Sequence, residues 1–119
     1  MKFRDECGAV TAETATVIPV LVLVAAVLAW MVGFGVTEVR ALDAAREVAR
    51  ALARGDDQDS SLALAARIAP RGSQITVRRD GTTVVVTVTA EVGLSGGALG
   101  FALGHQVRAE AVAELESSP

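Results

Sequence analysis

From Thr14 to Thr37 the chain carries no charged side chain, and this stretch constrains the fold more than any other. At 1.5 Å rise per residue, its roughly 24 residues make a helix of about 36 Å, enough to cross a hydrocarbon core of ~30 Å with some tilt. A lone carboxylate, Glu13, stands at the N-terminal entrance. The expected location is therefore a membrane, crossed once, with whatever folds in water confined to the rest of the chain.

That remainder is small. The chain has 119 residues, aromatics make up 3% of them and Tyr is absent, so a core has to be built from Ala, Val and Leu. At roughly 25 cal/mol per Å² such a core is marginal by itself, which points to membrane anchorage or partner subunits as contributors to stability. A formal charge of -3 and a pI near 5.1 argue against nucleic acid, whose binding needs basic patches that neutralise phosphates; Arg78 and Arg79 are too few. The single cysteine, Cys7, rules out an intramolecular disulfide and a cysteine zinc site. It precedes the hydrophobic run, the reverse of the order in a lipoprotein signal. It reads as an incidental thiol, with membrane-proximal palmitoylation the alternative.

Periodicity divides the chain. Residues 1–8, MKFRDECG, are short, polar and mixed in charge, and read as a leader. A helix is expected over 9–54, with 14–37 in the membrane and, beyond Glu38, an amphipathic half in which Val39, Leu42, Ala45, Val48, Ala49 and Leu52 share one face. Arg40, Asp43, Arg46, Glu47, Arg50 and Arg54 occupy the other, where i,i+4 pairing can offset their charges. The whole helix would be roughly 69 Å long, with Pro19 a possible kink inside the membrane. Gly55 and Asp56-Asp57 supply its stop.

The small α+β domain expected over 55–119 starts with a short helix capped by Asp59 or Ser60, carrying Leu62, Leu64, Ala65, Ile68 and Ala69, and closed by Pro70 and Gly72. The period then becomes two. Ile75 to Arg79 and Thr82 to Val88, around Asp80-Gly81, read as a hairpin with a type I′ turn that sets Arg79 opposite Thr82, Val77 opposite Val84 and Ile75 opposite Val86. A Gly-rich, apolar link from Gly93 to Gly104 follows, in which Leu99 and Phe101 are candidates for partner contact. Val107, Ala109, Ala111, Ala113 and Leu115 alternate with Arg108, Glu110, Glu114 and Glu116, a third antiparallel strand whose Ala and Glu content also suits a helix. The fold class is α+β: a long N-terminal helix, a short second one and a three-stranded antiparallel sheet packed against the helical layer.

No catalytic constellation emerges. His105, expected to open the last strand, has no partner at catalytic or metal-ligand spacing, and the glycines between 93 and 104 match neither a GxxxxGK[ST] loop nor a GxGxxG fingerprint. The chain is not expected to be an enzyme or to carry a cofactor or metal. Chemistry concentrates instead at Gly8-Ala-Val-Thr-Ala-Glu13, because a carboxylate at the edge of hydrocarbon is costly unless paired and marks function by default. The bland alternative is a charge marking the interfacial end of an ordinary anchor.

In this segment, in the Thr14 to Val24 run and in its short leader, the chain resembles TadE-like minor pilins of tight-adherence, or Flp-type, type IV pilus systems. The resemblance implies cutting by a prepilin peptidase between Gly8 and Ala9, leaving Glu13 as the fifth residue of the mature chain. The freed α-amine of Ala9 would lie one turn from Glu13 on the same helix, or beside the Glu13 of a neighbouring subunit, so that Glu13 steers register in assembly. Ala12, Ala15, Ala25, Ala26, Ala29, Gly33 and Gly35 would let helices approach closely in lipid. The implied role is a structural subunit in pilus assembly or initiation. The implied partners are a major Flp-type pilin, other minor pilins, the peptidase and the assembly platform with its secretion ATPase.

That role puts the C-terminal domain outside the cytoplasm, in the cell membrane or on a pilus. Counting flanking basic residues, Lys2 and Arg4 against Arg40, Arg46, Arg50 and Arg54, favours the opposite orientation. Two other readings stay open. One is a small secreted protein with a conventional signal peptide cut after Val27-Leu28-Ala29, against which stand Asp5, Glu6, Glu13 and the length of the apolar run. The other is a single-pass accessory subunit of a membrane enzyme.

Overall fold

The computed structural model describes residues 2–92 and 104–117, with side chains from residue 8 onward. The chain forms two compact units, Met1–Gly33 and Phe34–Pro119. Five elements follow in order: α1 (Lys2–Ala53), α2 (Gln58–Ile68), β1 (Gln74–Asp80), β2 (Thr83–Val92) and β3 (His105–Glu114). The architecture is a long helix, a short helix and a three-stranded antiparallel sheet.

Helix α1 begins at Lys2 rather than at Ala9. Adding a residue to an existing helix gains one backbone hydrogen bond, and 2–7 contains neither proline nor glycine to oppose it. Pro19 lies inside α1 without ending it. At the other end Gly55 (φ 88°) donates to the Leu52 carbonyl at 3.1 Å and Asp56 to that of Ala51 at 3.0 Å. This is a Schellman cap, which needs a left-handed residue and finds it in glycine. The stop expected from sequence is therefore where the helix stops.

The second half of α1 supplies one wall of the core, on the expected face except at Val39. Ala41, Ala44, Ala45, Val48, Ala49, Ala51 and Leu52 are buried, Leu42 is half-buried and Val39 is 59% exposed. Val39 is two residues, about 200°, from Ala41 and so cannot share its face. The alanines take the inward positions because a methyl group lets the helix lie close to a sheet lined with valines. The expected i,i+4 ion pairs do not form. Among the described residues the ion pairs are Arg54–Asp56 at 3.1 Å and Arg108–Glu110 at 3.8 Å. The reason is spacing: the i,i+4 neighbours on that face are like-charged, Asp43 with Glu47 and Arg46 with Arg50.

Asp57, rather than Asp59 or Ser60, caps α2, its carboxylate accepting from the Ser60 N–H at 3.1 Å. This leaves Asp59 in the first turn, facing the positive end of the helix dipole. The buried Ser61 hydroxyl donates to the Asp57 carbonyl at 2.7 Å. Ala65 is fully buried, Leu62 and Ile68 pack against the core, and Leu64 points away at 45% exposure.

The sheet has the order β1-β2-β3. In the hairpin Asp80 pairs with Thr83, Val77 with Val86 and Ile75 with Val88, each partner two residues along from the expected register. The loop is thus Gly81-Thr82, and only Gly81 has positive φ (60°). Type I′ demands positive φ at both central residues, whereas type II′ demands it at the first alone, where glycine is at no disadvantage. Moving the turn one position shifts the pairing by two, so the inward set is preserved. Val84, Val86 and Val88 are fully buried. The last segment is a strand, antiparallel to β2, with Val107, Ala109 and Ala111 inward and Ala113 and Leu115 packed on the same cluster. Its continuation ties the unit together. Leu115 N–H donates to the Thr82 carbonyl at 2.7 Å and Glu116 N–H to that of Ala53 at 3.0 Å. Leu99 and Phe101, candidate contact residues, lie outside the described residues.

Candidate functional site

Within the first unit, α1 is long and apolar enough to cross a membrane, with a mean hydropathy of 2.7 in its most apolar window. Its apolar side chains are uncovered: Leu23 is 64% exposed, Val32 67% and Leu28 56%. In water this surface would be strongly unfavourable, so the segment is of a membrane-associated or signal-like kind. Its polar side chains are handled locally. Thr14 and Thr16 donate to the carbonyls of Val10 and Ala12 at 2.9 and 3.0 Å, which satisfies both hydroxyls without a partner outside the helix.

Glu13 is exposed on this rod, in a shallow concavity of about 460 Å³ that it shares with Ala12, Thr16 and Val17. Ala9 lies one helical turn before it, so the two positions share a face. Gly8 is helical and open: a Cβ built there meets nothing within 4 Å. A helix-interior glycine costs about 1 kcal/mol relative to alanine, so Gly8 locally weakens α1.

The small residues named from sequence fall mostly on one seam. Ala12, Ala15, Ala26, Ala29 and Gly33 follow alternating three- and four-residue steps, with Pro19 and Val22 in the intervening places; Ala25 lies about 100° to one side. Steps averaging 3.5 residues keep a seam facing a partner helix. Space for a Cβ at Gly33 and Gly35 is likewise open.

Among the described residues there is no group of three His, Cys, Asp or Glu side chains able to hold a metal ion. His105 opens β3 and meets Phe34 edge-on, ring centroids 6.4 Å apart. One concavity escaped the reading by periodicity: a groove of about 440 Å³ between the last turns of α1 and β3, with Arg46, Arg50 and Arg54 on its helical side. Periodicity alone places these side chains on the polar face of α1. The signal that identifies them is their i, i+4, i+8 spacing.

No family model matches the chain, and no solved structure matches it. A protein of Mycobacterium tuberculosis named apoptosis inhibitor Rv3655c is 46% identical over 82 residues, which cover 69% of this chain and 65% of that protein. The chain thus spans less than two thirds of the length of the relative it matches.

Proposed function

We propose that this chain is a pilin-like structural subunit of the TadE-like kind, anchored by α1, cut between Gly8 and Ala9 by a prepilin peptidase, and acting in assembly or initiation of a tight-adherence pilus. The observation that carries the proposal is Gly8. It is a glycine inside a helix, with open space where a side chain would sit, five positions before the carboxylate at the entrance of the apolar run. A glycine with open space where a side chain would sit, in a helix it weakens, suits an enzyme that must open the backbone to reach a peptide bond. Glu13 then pairs with a freed amine in its own helix or the next, and the small-residue seam packs the rods. The α+β unit lies outside the cytoplasm, single-pass, beside a major pilin, other minor pilins and the assembly platform.

The test is N-terminal mass analysis of the chain purified from hosts with and without a prepilin peptidase. A terminus at Ala9 that depends on the peptidase and is lost in Gly8→Leu supports the proposal. Recovery of Met1 or Lys2 in the peptidase-bearing host overturns it.

A second reading is a secreted domain released from a signal-like helix. What favours it is that the compact unit beginning at Phe34 contains every residue of the core cluster, so a cut after Ala29 leaves the core whole. The same mass analysis separates the readings: this one requires a terminus at Trp30.

A further inference from the structure

The groove between α1 and β3 combines two things that are unfavourable when left alone. The first is a column of like charge. Arg46, Arg50 and Arg54 are exposed and follow one another at four-residue steps, a spacing at which like charges destabilise a helix. Arg54 is paired with Asp56, whereas Arg46 and Arg50 have no ion pair among the described residues. The second is an edge. β3 is the outer strand of the sheet, ten residues long, and it forms the opposite wall with Ala111 and Ala113; Glu116 closes one end. Among the described strands nothing pairs with its outer side, and such an edge is a template for a further strand.

We infer that this groove docks an extended acidic segment of a partner protein, which pairs with β3 as a fourth strand and sets alternate carboxylates on the arginine column. Spacing supports this occupant. Four residues of helix advance about 6 Å, and side chains on one face of a strand repeat every ~6.6 Å, so for a guest lying along α1 a glutamate at every second position matches the repeat of the arginines. Guanidinium and carboxylate then meet as charge-assisted pairs. Main-chain bonds to β3 give affinity and the charges give selection, the division of labour of strand addition. Charge also argues against a second copy as the occupant. A two-fold interface brings the same patch from both subunits together, and here it would set one arginine column against its twin. The inference is independent of how α1 is processed.

The experiment uses the full chain in detergent micelles and a fluorescent, end-capped nine-residue peptide in which glutamate alternates with valine. Two control peptides accompany it: one with every glutamate replaced by glutamine, and one with the same charges but backbone N-methylated at alternate residues along one edge. The expected result is saturable binding that weakens at least about tenfold for each control and for the double variant Arg46→Gln/Arg50→Gln, whose circular dichroism matches the parent. Equal affinity for the glutamine peptide overturns the charge recognition, and equal affinity for the N-methylated peptide overturns strand addition. Self-association of the unliganded chain that is lost in the same double variant gives the groove to a second copy and overturns the inference. If the double variant does not fold, Arg46→Lys replaces it. Because lysine keeps charge but cannot make a two-pronged contact, that variant is expected to weaken binding by a smaller factor while preserving selectivity over the glutamine peptide.

Discussion

The two units use the same residue types to opposite ends. In Phe34–Pro119 alanine and valine are interior: Ala41, Ala44 and Ala45 face Val84, Val86 and Val88 with no exposure at all. In Met1–Gly33 they are exterior: Val10, Val17 and Val24 lie uncovered along a rod whose alanines are exposed as well. Glycine divides in the same way. Gly55 and Gly81 occupy left-handed backbone that their turns demand, while Gly8 and Gly33 are helical with free space around them. A small apolar residue therefore marks a core where a second layer covers it and an outward-facing contact where none does. Composition cannot tell these apart; coverage can.

The comparison breaks first at the large side chains. Leu52→Ala, inside the second unit, is expected to cost about 2–5 kcal/mol, whereas Leu21→Ala, on the uncovered rod, shifts the unfolding of that unit by less than about 0.5 kcal/mol. Thermal unfolding in detergent, followed by the circular dichroism of the sheet, measures both. Equal effects would mean that the rod supports the domain's stability. A second pair sharpens the point on glycine. Gly55→Ala forces a left-handed alanine and costs about 1–2 kcal/mol, while Gly33→Ala favours the helix by about 1 kcal/mol and shows its penalty only where helices associate. The same melts, together with crosslinking yield in bilayers, separate the two. The smallest effect belongs to Asp57→Ala, which removes the cap of α2 and is expected to cost ~1 kcal/mol, read as a lowered denaturant midpoint.

The elements were legible in the sequence because their periods are: 3.6 over the amphipathic half of α1 and two over the strands, with Gly55 where the helix stops. The details lost were those decided by close competition. Asp57, Asp59 and Ser60 are all good caps, and the winner depends on the Schellman turn just before it. Asp-Gly and Gly-Thr are both turn pairs, and the choice between them rested on whether Asp80 must take positive φ. The inward face of α1 was misphased at Val39, since a valine looks more buriable than Ala41 or Ala44 until the sheet's own valines fill the space. Of the candidate site, Gly8, Glu13 and the small residues were visible as a pattern. The groove was not, because its two walls, residues 46–54 and 111–116, are brought together only by the meander.

The alanine-rich core has a further consequence, in entropy. Of the thirteen residues in the cluster seven are Ala, five Val and one Leu. Alanine has no rotamers to lose on folding and valine few, so this core forgoes contact area but freezes little side-chain freedom in exchange. The same fact limits how it can change. With methyl groups at the helix–sheet contact there is little side-chain bulk to rearrange, so an added methylene at Ala41 or Ala45 would have to be met by backbone movement. The helix and sheet are held at one separation, and the groove beside β3 inherits its width from it.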